Sequence, residues 1–179
     1  MPRKTPTQED IDKIFDQLEG ENDRAAIIVA GALLETCLEM MISSHIPRPI
    51  AKAERLSLFS ENGIAGTFSA KIWLAYCMKL IGTSTKRDLD LIRKIRNDAA
   101  HGLLPVSFSL STIADRCRAI NFFTTLEGQP GLSLRHAFLA TVKFLTVALL
   151  ARAAFVPRAA DKGTKLEGFI ARLTACLDR

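Results

Sequence analysis

Arg96, Asn97 and His101 are the residues of this chain whose types and spacing could do chemistry. A guanidinium presents a planar fork of donors that neutralises phosphoryl oxygens. An imidazole moves protons near neutral pH. Together they could hold and polarise a phosphodiester, and Arg93 and Lys94 add cations on the same segment for a nucleic-acid backbone.

These residues must ride a helix. Thr85-Lys-Arg-Asp88 reads as a capping box that launches it, Gly102 stops it, and Pro105 lies beyond. On a wheel of about 100° per residue, Leu91, Ile92, Ile95 and Ala99 cluster as the core face and Asn97 falls nearly opposite. Arg93, Asn97 and His101 stack along one edge at i, i+4 and i+8. Arg96 lies about 140° from His101, so the two flank Asn97, and fraying after Ala100 would let His101 swing towards Arg96. The cluster is expected to project away from its own core. Two outcomes stay open at this point: a solvated polar face, or a face that meets a second copy across a two-fold axis and builds a shared cleft of arginines and histidines.

The remaining elements also read as helices. Thr7-Gln-Glu-Asp10 is a capping-box start for a short amphipathic helix through Ile11, Ile14, Phe15 and Leu18, ending at Gly20. Asp23 is expected to cap a second helix, from Arg24 to about Ser44, which is nearly all apolar and therefore central. Its Glu35 and Glu39 form one polar stripe, expected to reach solvent or to pair with an arginine. Pro47 and Pro49 break the chain before an amphipathic stretch from Ile50 to Phe59. Ser60–Gly66 is a turn-rich loop without the spacing of a phosphate-cradling motif.

A helix from Ser69 to Ile81, closed by Gly82, carries Trp73 and Tyr76, both expected in the core. Val106–Ser111 alternates apolar and small polar residues, as a short extended segment would. Helices over about 111–124 and 133–155 follow, separated by Glu127-Gly-Gln-Pro-Gly131, and a last one covers about 165–177. The pattern predicts an all-α, single-domain bundle of six to eight helices.

Composition narrows the function. With 179 residues, 48% hydrophobic and 24% charged, the chain has ordinary globular content and can bury a core. The net charge of +5 is uneven: residues 1–40 hold four basic and nine acidic side chains, residues 135–179 eight basic and three acidic. A basic body suits an anionic partner, RNA more than sequence-specific DNA. Cys37, Cys77, Cys117 and Cys176 make no C-x-x-C pair, and with His45, His101 and His136 scattered there is no zinc-ligand spacing. No metal or other cofactor is expected. The N-terminus lacks the apolar core of a signal peptide, and residues 137–156 approach membrane-spanning length but contain Lys143 and Arg152. A cytoplasmic protein that does not enter a membrane is the reading.

Several ordered blocks resemble the mannitol operon repressor family: Asp23-Arg-Ala-Ala26, Phe59 with Gly63, Gly66-Thr-Phe-Ser-Ala-Lys-Ile72 with Leu74-Ala-Tyr76, and Asp88-Leu89, Ile92-Arg-Lys-Ile-Arg-Asn97 and Ala100-His101. They span residues 20–125, leaving 1–19 as an N-terminal helix and 133–179 as C-terminal helices. That family looks like a branch of the HEPN-like helical proteins, whose signature is an arginine followed by four to six residues and then a histidine. Arg96, Asn97 and His101 match it. The resemblance implies a regulator of a sugar-alcohol operon, without an evident helix-turn-helix, acting through a protein or nucleic-acid partner and forming a homodimer. In catalytic HEPN proteins the motif implies a metal-independent endoribonuclease. His101 would then transfer protons, Arg96 would stabilise phosphate charge and Asn97 would orient them.

Overall fold

Thr7 begins the first helix as its sequence requires: its hydroxyl accepts from the Asp10 amide, and the Asp10 carboxylate accepts from the Thr7 amide. The computed structural model describes residues 6–46, 51–103, 105–124 and 132–155. Among them the chain forms α1 (Gln8–Gly20), α2 (Asp23–His45), α3 (Lys52–Phe59), α4 (Phe68–Cys77), α5 (Thr83–His101), α6 (Ser111–Arg118), α7 (Asn121–Thr124) and α8 (Leu134–Ala154). The fold is all-α. The break at Pro47 and Pro49, the 127–131 separator, the helix at 165–177 and Cys176 lie outside the described residues.

The helices divide into two compact units, each gathered from distant stretches of sequence: Met1–Leu34 with Leu91–Leu145, and Glu35–Asp90 with Thr146–Arg179. In the first unit, α1 buries Ile11, Phe15 and Leu18, the positions its amphipathic period selects. Its open C-terminal end is closed by a residue from far along the chain. The Arg135 guanidinium donates to the carbonyls of Leu18 (2.7 Å), Glu19 (3.2 Å) and Glu21 (2.6 Å) and to Asp23 Oδ1 (2.6 Å). Asp23 was expected to cap α2, but Asn22 does so, its Oδ1 accepting from the Ala25 amide at 3.0 Å. Asp23 is thereby available to tie the start of α2 to Arg135 and to the Phe108 amide (3.1 Å).

Phe108 stacks obliquely on the fully buried Phe138, 5.3 Å between centroids. This anchor turns residues 108–110 into a turn rather than the extended segment that the alternation suggests. The expected helix over 111–124 is split at Ala119–Ile120, where Ile120 and Cys117 bury their side chains and the chain restarts as α7. Lys143 pairs with Asp12 at 2.7 Å, and its ammonium holds that carboxyl below the usual carboxylate range.

In the second unit, α4 starts at Phe68 with Thr67 as its cap and ends at Cys77, four residues short of Ile81. Lys79 adopts φ 56°, the left-handed conformation usually left to glycine. The Leu80 amide then reaches back to the Ala75 carbonyl and the Lys79 amide to that of Tyr76, both at 2.9 Å. Gly82 does not close α4; its carbonyl instead accepts the Lys86 amide at the start of α5. The loop before α4 is compressed, since a Cβ on Gly63 would stand 2.3 Å from the Ser57 carbonyl oxygen and one on Gly66 2.1 Å from that of Ser60. Lys71, almost fully buried, fastens this loop by donating to the Gly66 carbonyl (3.1 Å) while pairing with Glu35 (2.9 Å). A lysine thus takes the partner role the sequence assigned to an arginine.

Helices α2 and α8 are long and apolar enough to cross a membrane by length and composition, and about half of each apolar window is buried inside the protein, 50% and 56%.

Candidate functional site at the end of α5

Helix α5 starts at Thr83, two residues before the expected capping box, so Thr85 and Asp88 lie inside it and are buried. This shifts the buried face. Besides Ile92, Ile95 and Ala99, it takes in Thr85, Asp88 and the fully buried Leu89, while Leu91 is only half-buried. The wheel drawn from Leu91, Ile92, Ile95 and Ala99 is therefore rotated by about 35° from the true one. Arg96 falls within the corrected buried arc, between Ile92 and Leu89. Arg96 and Asn97 are half-buried; the expectation that the cluster projects away from its own core is corrected for Arg96, whereas Asn97 keeps its bearing away from the buried face.

What admits an arginine there is a glycine on another helix. Gly31 lies mid-way along α2, and a Cβ at that position would stand 2.7 Å from Arg96 Cγ and 3.0 Å from Arg96 Cβ. The missing side chain is the space the arginine stem occupies. The stem crosses α2 here, the Nε is buried, and Nη1 donates to Asn97 Oδ1 at 3.1 Å. The guanidinium is thus seated and oriented, and Asn97 is the residue that receives it.

His101 is exposed and is the last helical residue. Fraying after Ala100 does not occur. The helix stays intact because the Gly102 amide donates to the Asp98 carbonyl at 2.9 Å and Arg24 Nη2 donates to the Gly102 carbonyl at 2.7 Å. Gly102 is needed at this exit, since a Cβ would meet the Asp98 oxygen at 2.8 Å. His101 therefore keeps its helical bearing, about 140° around the axis from Arg96.

Two further arginines gather near this end. Arg116 of α6 forms an ion pair with Asp98, and Arg24 of α2 holds the helix exit. Arg93 is half-buried and Lys94 is exposed. The structure thus joins Arg96 to Asn97, while His101 stands apart on the solvent side, and on the wheel the Arg116–Asp98 pair lies nearer to His101 than to Arg96.

Gly31, Arg24 and Arg116 were missed as site residues. A glycine inside an apolar helix is a sequence signal for close approach, and Arg24 sits in the Asp23-Arg-Ala-Ala26 block, but nothing local announces the role of Arg116. Among the described residues, no group of three or more His, Cys, Asp or Glu side chains gathers as a metal site. No family model, curated protein or solved structure matches this chain.

Proposed function

We propose that the chain is a cytoplasmic regulatory interaction protein of the mannitol operon repressor type, acting as a homodimer on a protein or nucleic-acid partner. The observation that carries this reading is the outer strip of α2. Val29 is 45% exposed and Ala32 is exposed, with Ala25 half-exposed one turn before Val29, on the stretch of α2 that precedes its polar Glu35 and Glu39. Residues spaced i, i+4 and i+7 share one helix face. A small, apolar face of this kind suits a self-complementary two-fold contact.

The prediction is a dimer by light scattering that becomes monomeric when Val29→Glu and Ala32→Glu are combined, with helicity unchanged. Loss of the protein should change transcript levels for a small set of genes that includes a sugar-alcohol operon. An unaltered transcript profile, or a wild-type protein that is monomeric throughout, would count against the reading.

A second reading is favoured by one specific observation, the seating of Arg96. Its stem is fixed against Gly31 and its fork is bonded to Asn97, whereas a merely solvated arginine needs neither. Across a dimer, one His101 would take the proton from an RNA 2′-hydroxyl as that oxygen bonds to phosphorus. The second His101 would protonate the departing 5′-oxygen, and Arg96 would stabilise the charge on the phosphoryl oxygens. The products would be a 2′,3′-cyclic phosphate and a 5′-hydroxyl end. Mixed RNA incubated with the protein in EDTA should be cleaved, and His101→Ala should abolish cleavage and any toxicity of expression. Cleavage that persists in the variant, or none by the wild type, would sink this second reading.

A further inference from the structure

Trp73, the chain's single tryptophan, was expected in the core, yet it is 52% exposed on α4, and Tyr76 is half-buried. The ring is open but held in place. Lys86 Nζ lies 4.1 Å from its centroid, and Lys86 is itself fixed by Asp90 at 3.0 Å. Tyr76 meets Trp73 edge-on at 6.1 Å and 78°, with its hydroxyl 3.5 Å from Thr83 Oγ1.

Past Tyr76 the surface falls into a recess of about 430 Å³ lined by Tyr76, Cys77, Lys79, Ile81, Gly82 and Thr83. That size lies within the range of small-ligand pockets, roughly 300–1,000 Å³. Among the described residues, the only charged one in the lining is the exposed Lys79, on the left-handed turn whose carbonyl accepts from Arg152 Nη2 at 3.2 Å. Helix α4 holds no acidic residue, and Arg87 is exposed on the first turns of α5.

An exposed tryptophan at a protein–protein hot spot sits among apolar neighbours, with charge depleted around it. Here one cation, Lys86, lies over the ring, and a second, Lys79, lines the recess beyond Tyr76. A flat aromatic surface beside ammonium groups matches a ligand with flat rings and a polyanionic chain. We propose that Trp73, Tyr76 and Lys79 form a stacking platform for single-stranded nucleic acid. A base lies on the uncovered part of Trp73, Tyr76 supports the ring from its edge, and the recess accepts the adjoining sugar-phosphate with Lys79 on the phosphate. Lys86 keeps its place over the ring, its charge matched by Asp90. This goes beyond the reading of Arg96, Asn97 and His101 and shares no residue with it, so either can fail alone.

Because Trp73 is the only tryptophan, its fluorescence reports on the site directly. The full chain is titrated with an oligouridylate dodecamer and an oligothymidylate dodecamer, which separate RNA from DNA as the source of the strand. Saturable quenching by either is expected. Anisotropy of labelled oligomers then compares variants: Trp73→Leu should weaken binding about 5- to 150-fold, the equivalent of about 1–3 kcal/mol per stacked base. Trp73→Phe should retain part of the affinity, and His101→Ala all of it. Lys79→Gln should reduce the slope of log affinity against log salt by about 0.7. Each variant is checked for unchanged helicity and unfolding midpoint. The proposal is overturned if neither oligomer quenches Trp73 saturably, if Trp73→Leu binds within twofold of wild type, or if duplex DNA or polyglutamate quenches equally well.

Discussion

Replacing Gly31 by alanine sets two effects against each other at one contact. A glycine inside a helix costs about 0.5–1 kcal/mol relative to alanine, so propensity alone favours the substitution. The new Cβ, however, would stand 2.7 Å from Arg96 Cγ. Ordinary carbon contacts lie at about 3.5–4.0 Å, so the arginine stem must retreat by roughly 0.8 Å, or α2 and α5 must part here. Overpacking of this sort costs about 1–3 kcal/mol. The net expectation is a loss centred near 1 kcal/mol, with overpacking winning. In an Arg96→Ala background the Cγ is gone and only the 3.0 Å approach to Cβ remains. There Gly31→Ala should turn neutral or stabilise by up to about 0.5 kcal/mol.

Urea unfolding of the wild type, the two single variants and the double variant measures the difference. A coupling of about 1–2 kcal/mol is expected. Additivity within about 0.5 kcal/mol would refute the seating of the Arg96 stem against α2. If the protein does cleave RNA, the same displacement should depress the rate while the chain stays folded, because a misplacement of about 1 Å can cost on the order of 100-fold.

Arg135→Met should destabilise the protein by about 2–4 kcal/mol in urea, because it removes four charge-assisted bonds at a largely covered site. By contrast, Lys13→Ala, which breaks an exposed pair of similar length, should cost less than about 0.5 kcal/mol. Equal losses would show that Arg135 does not close the end of α1. Lys79→Gly should raise stability by about 0.5–1 kcal/mol by relieving the left-handed backbone, and a lower unfolding midpoint would contradict this.

Burial pushes the thiols of Cys37 and Cys117 from the ordinary 9.0 up to about 12, while Cys77 is exposed. In Cys176→Ser protein at pH 8, a thiol reagent should therefore label Cys77 alone at speed. The folded state holds the two buried protons more tightly than the unfolded chain does. Their contribution is complete below about pH 9 and falls away as pH rises towards 12. Cys37→Ala should flatten that alkaline decline, and a decline unchanged in the variant would remove Cys37 as its source.

The sequence by itself determined the helices and most of their ends, because capping and amphipathic period act within a few residues. Thr7 with Asp10, Gly20, Gly102 and the buried trio Ile11, Phe15 and Leu18 stand where those rules place them. It also placed Arg96, Asn97 and His101 on one helix. Errors arose where a distant partner decided the outcome. Asp23 was legible as a cap, but Arg135, 112 residues away, and the Phe108 amide take it, and Asn22 caps instead. Trp73 was read as core from its type, yet Lys86 on the following helix gives the ring enough cover for it to remain half in solvent.

The bearing of Arg96 was beyond any wheel drawn from α5 alone. A side chain's burial depends on what faces it, and here that is the absent side chain of Gly31 on α2. Local sequence could state that an arginine, an asparagine and a histidine share a helix. Only tertiary structure, through the room one glycine leaves and the clamp of Arg24 on the helix exit, decided that the arginine is seated while the histidine remains open to solvent.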